Sequence, residues 1–282
     1  MTKFADLADV RLAWETRGDP SALPLVLVRG LGTQMIEWSD VLLDTLVDAG
    51  HFVILFDNRD VGLSSGFEDA GTDGPAYSLA DMAGDVAGLL DHLEIERAHI
   101  AGMSMGGMIG QRFALAFPDR TLSLTSIMSS TGKPDLPPPT EDALYFLTAA
   151  PQNPDDEEES VELIVKGRLC FDGGAYPTDV EIHRKAVRRS YRRANRPDGV
   201  ARQMAAIFSD PTRRDELAGL TAPTLVIHGT DDSLLPLGHG MDTADAIPGA
   251  RMEVVEGMGH ALPDTLAPLI ADLITSHIGD SA

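Results

Sequence analysis

Seven short apolar, β-rich runs alternate along this chain with longer segments of helical period, and that alternation constrains the fold more tightly than any other feature of the sequence. It is the pattern of a mostly parallel sheet with helices on both faces. The runs cover residues 10–16, 24–30, 51–57, 98–103, 122–128, 223–229 and 251–256, and the helical segments 38–48, 78–93, 105–117, 237–247 and 263–277. Ser78 stands three residues before Asp81, a capping box with Asp where Glu or Gln is usual. The alternation fails once. Residues 131–221 hold no convincing strand; they open on the proline-rich KPDLPPP, carry an acidic block from Asp155 to Glu159 and contain several helical stretches. A connection of that length is uncommon inside a compact sheet and usually carries function. We therefore read residues 131–221 as a helical cap inserted into an α/β core made of residues 1–130 and 222–282.

Composition narrows the classes of function. Cys170 is the only cysteine, so neither an intramolecular disulfide framework nor a cysteine-cluster zinc site can form, in keeping with a reducing compartment. The N-terminal MTKFADLADV has no basic or apolar targeting region, and no apolar run is long enough to span a bilayer, so a cytoplasmic protein without membrane association is expected. With 44 acidic against 22 basic side chains the formal net charge is −22, which argues against nucleic acid as a partner. The basic residues are concentrated in one place. Arg184, Arg188, Arg192 and Arg196 follow one another at i, i+4 spacing, joined by Lys185, Arg189 and Arg193, so a helix there would carry a positive face. The plain reading pairs these arginines with acidic neighbours, including Asp155–Glu159; the sharper one lets one or two of them select an anionic substrate.

The chemistry is concentrated at Gly102-Met-Ser104-Met-Gly106, between a predicted strand and a predicted helix. A serine hydroxyl is a poor nucleophile at neutral pH and has to be presented to a base without crowding, which a strained strand-to-helix turn does. Glycines two residues before and after let the backbone pass close on either side, and the helix beginning at Met105 aims unpaired N–H groups at the space where an oxyanion would form. The two further groups such a serine needs stand at other strand ends. Asp231 and Asp232 follow the run ending at Gly229, and His260 lies in a glycine-flanked loop after the last run. From the residues alone either aspartate can orient the histidine, and either can cap the next helix.

In these residues the chain resembles the α/β-hydrolase superfamily, over nearly its whole length. The family's nucleophile elbow matches Gly102–Gly106. Its acid motif, an aspartate three residues after a glycine and four before a proline, matches Gly229, Asp232 and Pro236, so the resemblance selects Asp232. The family's oxyanion loop follows the third strand and usually begins His-Gly; here it reads Arg29-Gly30-Leu31-Gly32, and the resemblance implies the backbone N–H groups of Leu31 and Met105 as donors. Asp57-Asn-Arg-Asp-Val-Gly-Leu-Ser64 is similar to the family's Asp-x-Arg-Gly-x-Gly-x-Ser turn, with Asp60 in place of the first glycine and a structural role for Asp57 and Arg59. The R-G-x-G loop together with F-D-N-R-D is similar to small bacterial esterases, including those that cleave methyl esters of anthracycline polyketides.

The resemblance implies a serine hydrolase of small to medium carboxylic esters, acting through an acyl-enzyme on Ser104 with His260 as base and Asp232 as its orienter, and needing no metal or organic cofactor. Thioesterase, lactonase, perhydrolase and C–C bond hydrolase activities use the same three residues. The expected partner is a small-molecule ester, met by a monomer or homodimer. Gly30, Met35, Trp38 and Met103 are candidates for the substrate pocket, against a core-filling role for the methionines and an anchoring one for Trp38. Cys170 is expected to be buried and inert. A competing class is a dinucleotide-dependent oxidoreductase: Gly30-x-Gly32-x-x-Met35 follows a strand, and Asp57 closes the next one where a ribose-binding acid would stand, but Met35 occupies the third glycine's place.

Overall fold

The central strands are apolar on both sides because both faces of their sheet are covered. In Leu23–Val28, Leu25 and Leu27 pack with one helical layer while Val26 and Val28 pack with the other. The computed structural model describes residues 1–67 and 75–281. Among them, eight strands form one sheet: β1 Lys3–Asp6, β2 Arg11–Arg17, β3 Leu23–Val28, β4 His51–Phe56, β5 Ala98–Met103, β6 Thr121–Ile127, β7 Thr224–Gly229 and β8 Arg251–Val255, in the order β1-β2-β4-β3-β5-β6-β7-β8. β1 and β2 pair antiparallel, as do β2 and β4, and every later pair is parallel. β1 was not expected: of its four residues only Ala5 is buried, so it has no apolar period to announce it.

Helices α1 Asp40–Asp48 and α10 Ala267–Asp280 cover one face, where Leu42, Leu43, Leu46, Ile270 and Ile274 meet Leu25, Leu27, Val53 and Leu55. α2 Leu79–His92 and α3 Met105–Ala116 cover the other. α2 opens on the expected capping box: Ser78 N–H donates to Asp81 Oδ2 (2.8 Å), and Asp81 N–H to Ser78 Oγ (3.2 Å). α4 Glu141–Thr148, α5 Glu157–Phe171, α6 Val180–Arg193, α7 Pro197–Ser209 and α8 Arg214–Leu217 all lie between β6 and β7, while α9 Gly238–Ala246 connects β7 to β8. Because β5, β6, β7 and β8 run parallel, the segments that follow them all emerge at one end of the sheet, the end where parallel α/β sheets hold their sites. No helix among the described residues is long and apolar enough to cross a membrane.

Candidate active site

Ser104 is the single residue between β5 and α3, with φ 55° and ψ −124°, a backbone conformation that non-glycine residues rarely hold. The strain is held by bonds to the end of β6 and the residues after it: Ser104 N–H donates to the Ile127 carbonyl (2.9 Å), and Ser129 Oγ donates to the Ser104 carbonyl (2.8 Å). The flanking glycines are required by space. A Cβ on Gly102 would lie 2.1 Å from the Gly106 carbonyl oxygen, and one on Gly106 would lie 2.1 Å from that of Val28.

His260, 9% exposed, stands in the loop after β8 with Nε2 3.0 Å from Ser104 Oγ and Nδ1 2.7 Å from Asp232 Oδ2. An ionised carboxylate can only accept, so Nδ1 carries the proton and the Nε2 lone pair faces the serine hydroxyl. Asp232 is buried; its other oxygen accepts the Leu234 and Leu235 N–H groups at 2.9 and 2.7 Å, and His228 Nε2 lies 3.4 Å from Oδ2. Burial pushes this carboxyl up, but attraction to His260 and the histidine hydrogen bonds outweigh it and hold the group well below the usual carboxylate range. Of the two aspartates the residues left open, the structure brings Asp232 to His260; Asp231 is exposed and accepts from Thr230 Oγ1.

Gly30–Thr33 is a β-turn closed by Thr33 N–H on the Gly30 carbonyl (3.3 Å), with the positive φ at Gly32 (65°) that a type II turn demands. A Cβ on Gly30 would lie 3.2 Å from Ser104 Cβ, so this turn stands directly against the serine. Thr33 Oγ1 also donates to the Gly30 carbonyl (2.9 Å), which turns the Leu31 N–H of the same peptide the opposite way. Among the described residues neither Leu31 N–H nor Met105 N–H donates to anything. Arg29 is accommodated by stacking on Trp38, 4.7 Å from its ring centre, with Nε on Thr33 Oγ1 and Nη1 on Met103 Sδ, both at 3.2 Å. Burial lowers its guanidinium to about 10, partly offset by Glu37, which is itself paired to Arg168 of α5.

A half-buried serine in line with a buried imidazole and carboxylate, beside two N–H groups unpaired among the described residues, is equipped for nucleophilic attack on a carbonyl and for holding the charge that results. The alpha/beta hydrolase fold family model matches residues 24–265. The chain belongs to this family. Among curated proteins it is similar to the rhodomycin D methylesterase DnrP of Streptomyces peucetius, 32% identical over 98% of this chain and 97% of that protein. It is also 32% identical, over 84% of this chain and 80% of the relative, to a 2-hydroxy-6-oxononadienedioate/2-hydroxy-6-oxononatrienedioate hydrolase of Cupriavidus pinatubonensis. Among solved structures, a hydrolase from Pseudomonas aeruginosa PA01 matches with a TM-score of 0.76 at 29% identity, covering 99% of this chain and 98% of that one.

In this alpha/beta hydrolase the Asp57–Ser64 turn ties the loop after β3 to the helices between β6 and β7. Asp57 Oδ1 accepts Met35 N–H (2.8 Å), Asp57 Oδ2 accepts Leu63 N–H (3.0 Å) and Arg193 Nη1 of α6 (2.7 Å), and Asn58 Nδ2 donates to the Arg29 carbonyl (3.1 Å). Asp60, where the family turn has glycine, takes glycine's left-handed backbone (φ 67°), and its carboxylate is held by Arg202, Tyr77 and Phe67 N–H. Two contacts from α5 and α7 reach the site itself. The Phe171 carbonyl accepts His260 N–H (2.6 Å), and Gln203 Oε1 accepts Gly32 N–H (2.9 Å). Sequence reasoning missed both residues. For Gln203 the available signal was a polar side chain in the buried stripe Gly199, Gln203, Ala206 of α7.

The other expected residues fall as follows. Gly30 and Met103 adjoin Ser104, whereas Met35 and Trp38 are core residues of the α1/α10 layer and border a cleft of about 360 Å³ with Arg17, Leu43, Arg189 and Arg193. Cys170 is half-buried rather than buried, and burial raises its thiol. The basic block is one helix only as far as Arg193: Arg196 lies past the end of α6, in front of α7. Arg184 pairs with Glu162 and Glu181, Arg188 with Glu157 and Glu158, Arg192 with Glu157, and Arg189 donates to the Ile36 carbonyl. The dinucleotide reading fails on geometry. No α-helix opens at Gly32, since only a single 3-10 turn, Met35–Glu37, precedes α1 at Asp40, and the Asp57 carboxylate is taken by Met35, Leu63 and Arg193.

Proposed function

We propose that this protein is a serine hydrolase that cleaves carboxylic esters of small to medium size through an acyl-enzyme on Ser104. The observation that carries the reading is the unbroken line Ser104 Oγ, His260 Nε2, His260 Nδ1, Asp232 Oδ2, with steps of 3.0 and 2.7 Å across its hydrogen bonds. His260 takes the Ser104 proton as Oγ attacks the ester carbonyl, and Leu31 and Met105 N–H receive the oxyanion. Collapse of the tetrahedral species expels the alcohol, protonated by His260. Water, deprotonated by His260, then releases the acid. Asp232 stays ionised throughout and stabilises the imidazolium, in keeping with its lowered carboxyl. In this reading residues 131–221 form the cap over a core of residues 1–130 and 222–282. The methylesterase relative favours methyl and other small-alcohol esters; the 2-hydroxy-6-oxononadienedioate hydrolase relative favours C–C bond hydrolysis as the second reading.

The test is a panel of p-nitrophenyl esters from acetate to palmitate, with a methyl ester of an aromatic acid, run on the wild type and on Ser104→Ala. The expected result is a short-to-medium acyl optimum and a fall in kcat of about 10⁴-fold or more in the variant, because the three residues act as a unit. A Ser104→Ala enzyme as active as the wild type rules the proposal out.

A further inference from the structure

We propose that Gln203, on α7 between β6 and β7, is the positioning residue of the oxyanion hole. The inference rests on the ester-hydrolase reading and adds to it a residue about 170 positions away in sequence from the loop it holds.

The Gly30–Thr33 turn has one peptide free to rotate. In a β-turn the middle peptide, here Leu31–Gly32, can flip without breaking the closing hydrogen bond, and glycine at the third position makes both orientations accessible. The flip exchanges the directions of the Leu31 carbonyl and the Gly32 N–H, and so reverses the peptide dipole next to the Leu31 N–H that is a donor to the oxyanion. Gln203 removes that freedom. Its Oε1 accepts the Gly32 N–H (2.9 Å), and its own amide is fixed because Nε2 donates to the Arg59 carbonyl (2.7 Å). Arg59 is in turn anchored by a two-pronged pair with buried Asp85, at 2.7 and 2.6 Å. Gln203 is 0% exposed, so water does not compete for either bond. Val200, one turn earlier on α7, closes the same side: a Cβ on Gly32 would touch its Cγ2 at 3.0 Å. A buried side chain with both amide ends satisfied by main-chain groups of two core loops is a brace, and one of those loops carries the donor.

The geometry makes a prediction that separates positioning from mere stability. Gln203→Met keeps the volume and removes both bonds. It is expected to lower kcat about 10- to 100-fold, less than outright loss of a donor, with KM within about twofold. Affinity for a trifluoromethyl ketone, which forms an oxyanionic adduct on a serine, is expected to weaken by the same factor as kcat/KM. Gln203→Glu keeps an acceptor for Gly32 N–H but loses the donor to Arg59, and buries a charge. It is expected to be the less stable of the two variants and yet the more active. Two results overturn the proposal: kcat in Gln203→Met within about twofold of the wild type, or activities of both variants falling in step with their Tm values. Ser104→Ala is measured alongside. If it keeps its activity, the serine reading itself is overturned; if it is inactive while Gln203→Met is unimpaired, only the role of Gln203 is.

Discussion

Gly106→Ala sets two physical effects against each other at the nucleophile turn. Gly106 is the second residue of α3, and by helix propensity alone alanine there should stabilise by about 1 kcal/mol. The structure predicts the reverse. The added methyl would sit 2.1 Å from the Val28 carbonyl oxygen and 2.7 Å from that of Arg29, and both neighbours are backbone, one at the end of β3 and the other just before the Gly30–Thr33 turn. Relieving those contacts requires α3 and the β3 end to separate by about 1 Å, an overpacking that costs typically 1–3 kcal/mol and here outweighs the propensity gain. The same movement carries Met105 N–H and Ser104 away from Leu31 N–H, and displacement on that scale lowers turnover by about 10²-fold. Gly84, in α2, is the control. It is exposed, nothing lies within 4 Å of its Cβ position, and Gly84→Ala should be stabilising by about 0.5–1 kcal/mol. Urea denaturation of both variants with kcat on a short-chain p-nitrophenyl ester checks the pair. A Gly106→Ala protein as stable as Gly84→Ala, with wild-type kcat, would refute the close-approach argument.

Acid should weaken the fold through its buried histidines. Burial holds His99 down at about 4 from an ordinary 6.5, and lowers His51, His239 and His277 in the same direction. Between those two values the unfolded chain takes up protons that the folded one refuses, so stability is full above about pH 6.5 and falls as pH drops toward 4. His99 alone contributes about 3 kcal/mol to that loss. Urea midpoints that stay level from pH 7 to pH 4 would contradict this, and His99→Gln should flatten part of the slope. At the Asp57–Ser64 turn, Asp60→Ala removes the carboxylate that holds Arg202, Tyr77 and Phe67 N–H and keeps a Cβ on a left-handed backbone, whereas Asp60→Gly relieves the backbone. Both should be destabilised by about 2–4 kcal/mol, the alanine variant by about 1 kcal/mol more. Equal Tm values for the two would show that the positive φ carries no strain.

How far the sequence disclosed this molecule follows from where its information is local. The sheet was legible because strands such as β4 and β7, buried at every position, carry unbroken apolar stretches, Phe52–Phe56 and Leu225–Ile227, and because α1, α2, α3 and α10 each bury an apolar face. Ser104 was legible because the turn that presents it is encoded within five residues. Asp232 was not separable from Asp231 by local reasoning, since both follow β7. The resemblance, through the spacing of Gly229, Asp232 and Pro236, selected Asp232, and the fold brings that carboxylate to an imidazole from a loop 28 residues later. The partners of the residues that reach the site from α5 and α7 were illegible: Phe171 and Gln203 bond His260 and Gly32 across 89 and 171 positions, and no period or motif links the members of either pair. How Arg29 fits where the family has histidine was not legible, because the sequence does not reveal that its guanidinium stacks on Trp38.

The central claim, that Ser104 is a nucleophile activated by His260, is tested most directly by locating a covalent adduct. The protein is treated with a fluorophosphonate ester, digested, and the labelled peptide identified by mass spectrometry in the wild type, His260→Ala and Ser104→Ala. The expected result is one label on Ser104, forming at least about 10³-fold more slowly in His260→Ala and absent in Ser104→Ala. A label on another residue, or one that forms on Ser104 equally fast without His260, would contradict the account.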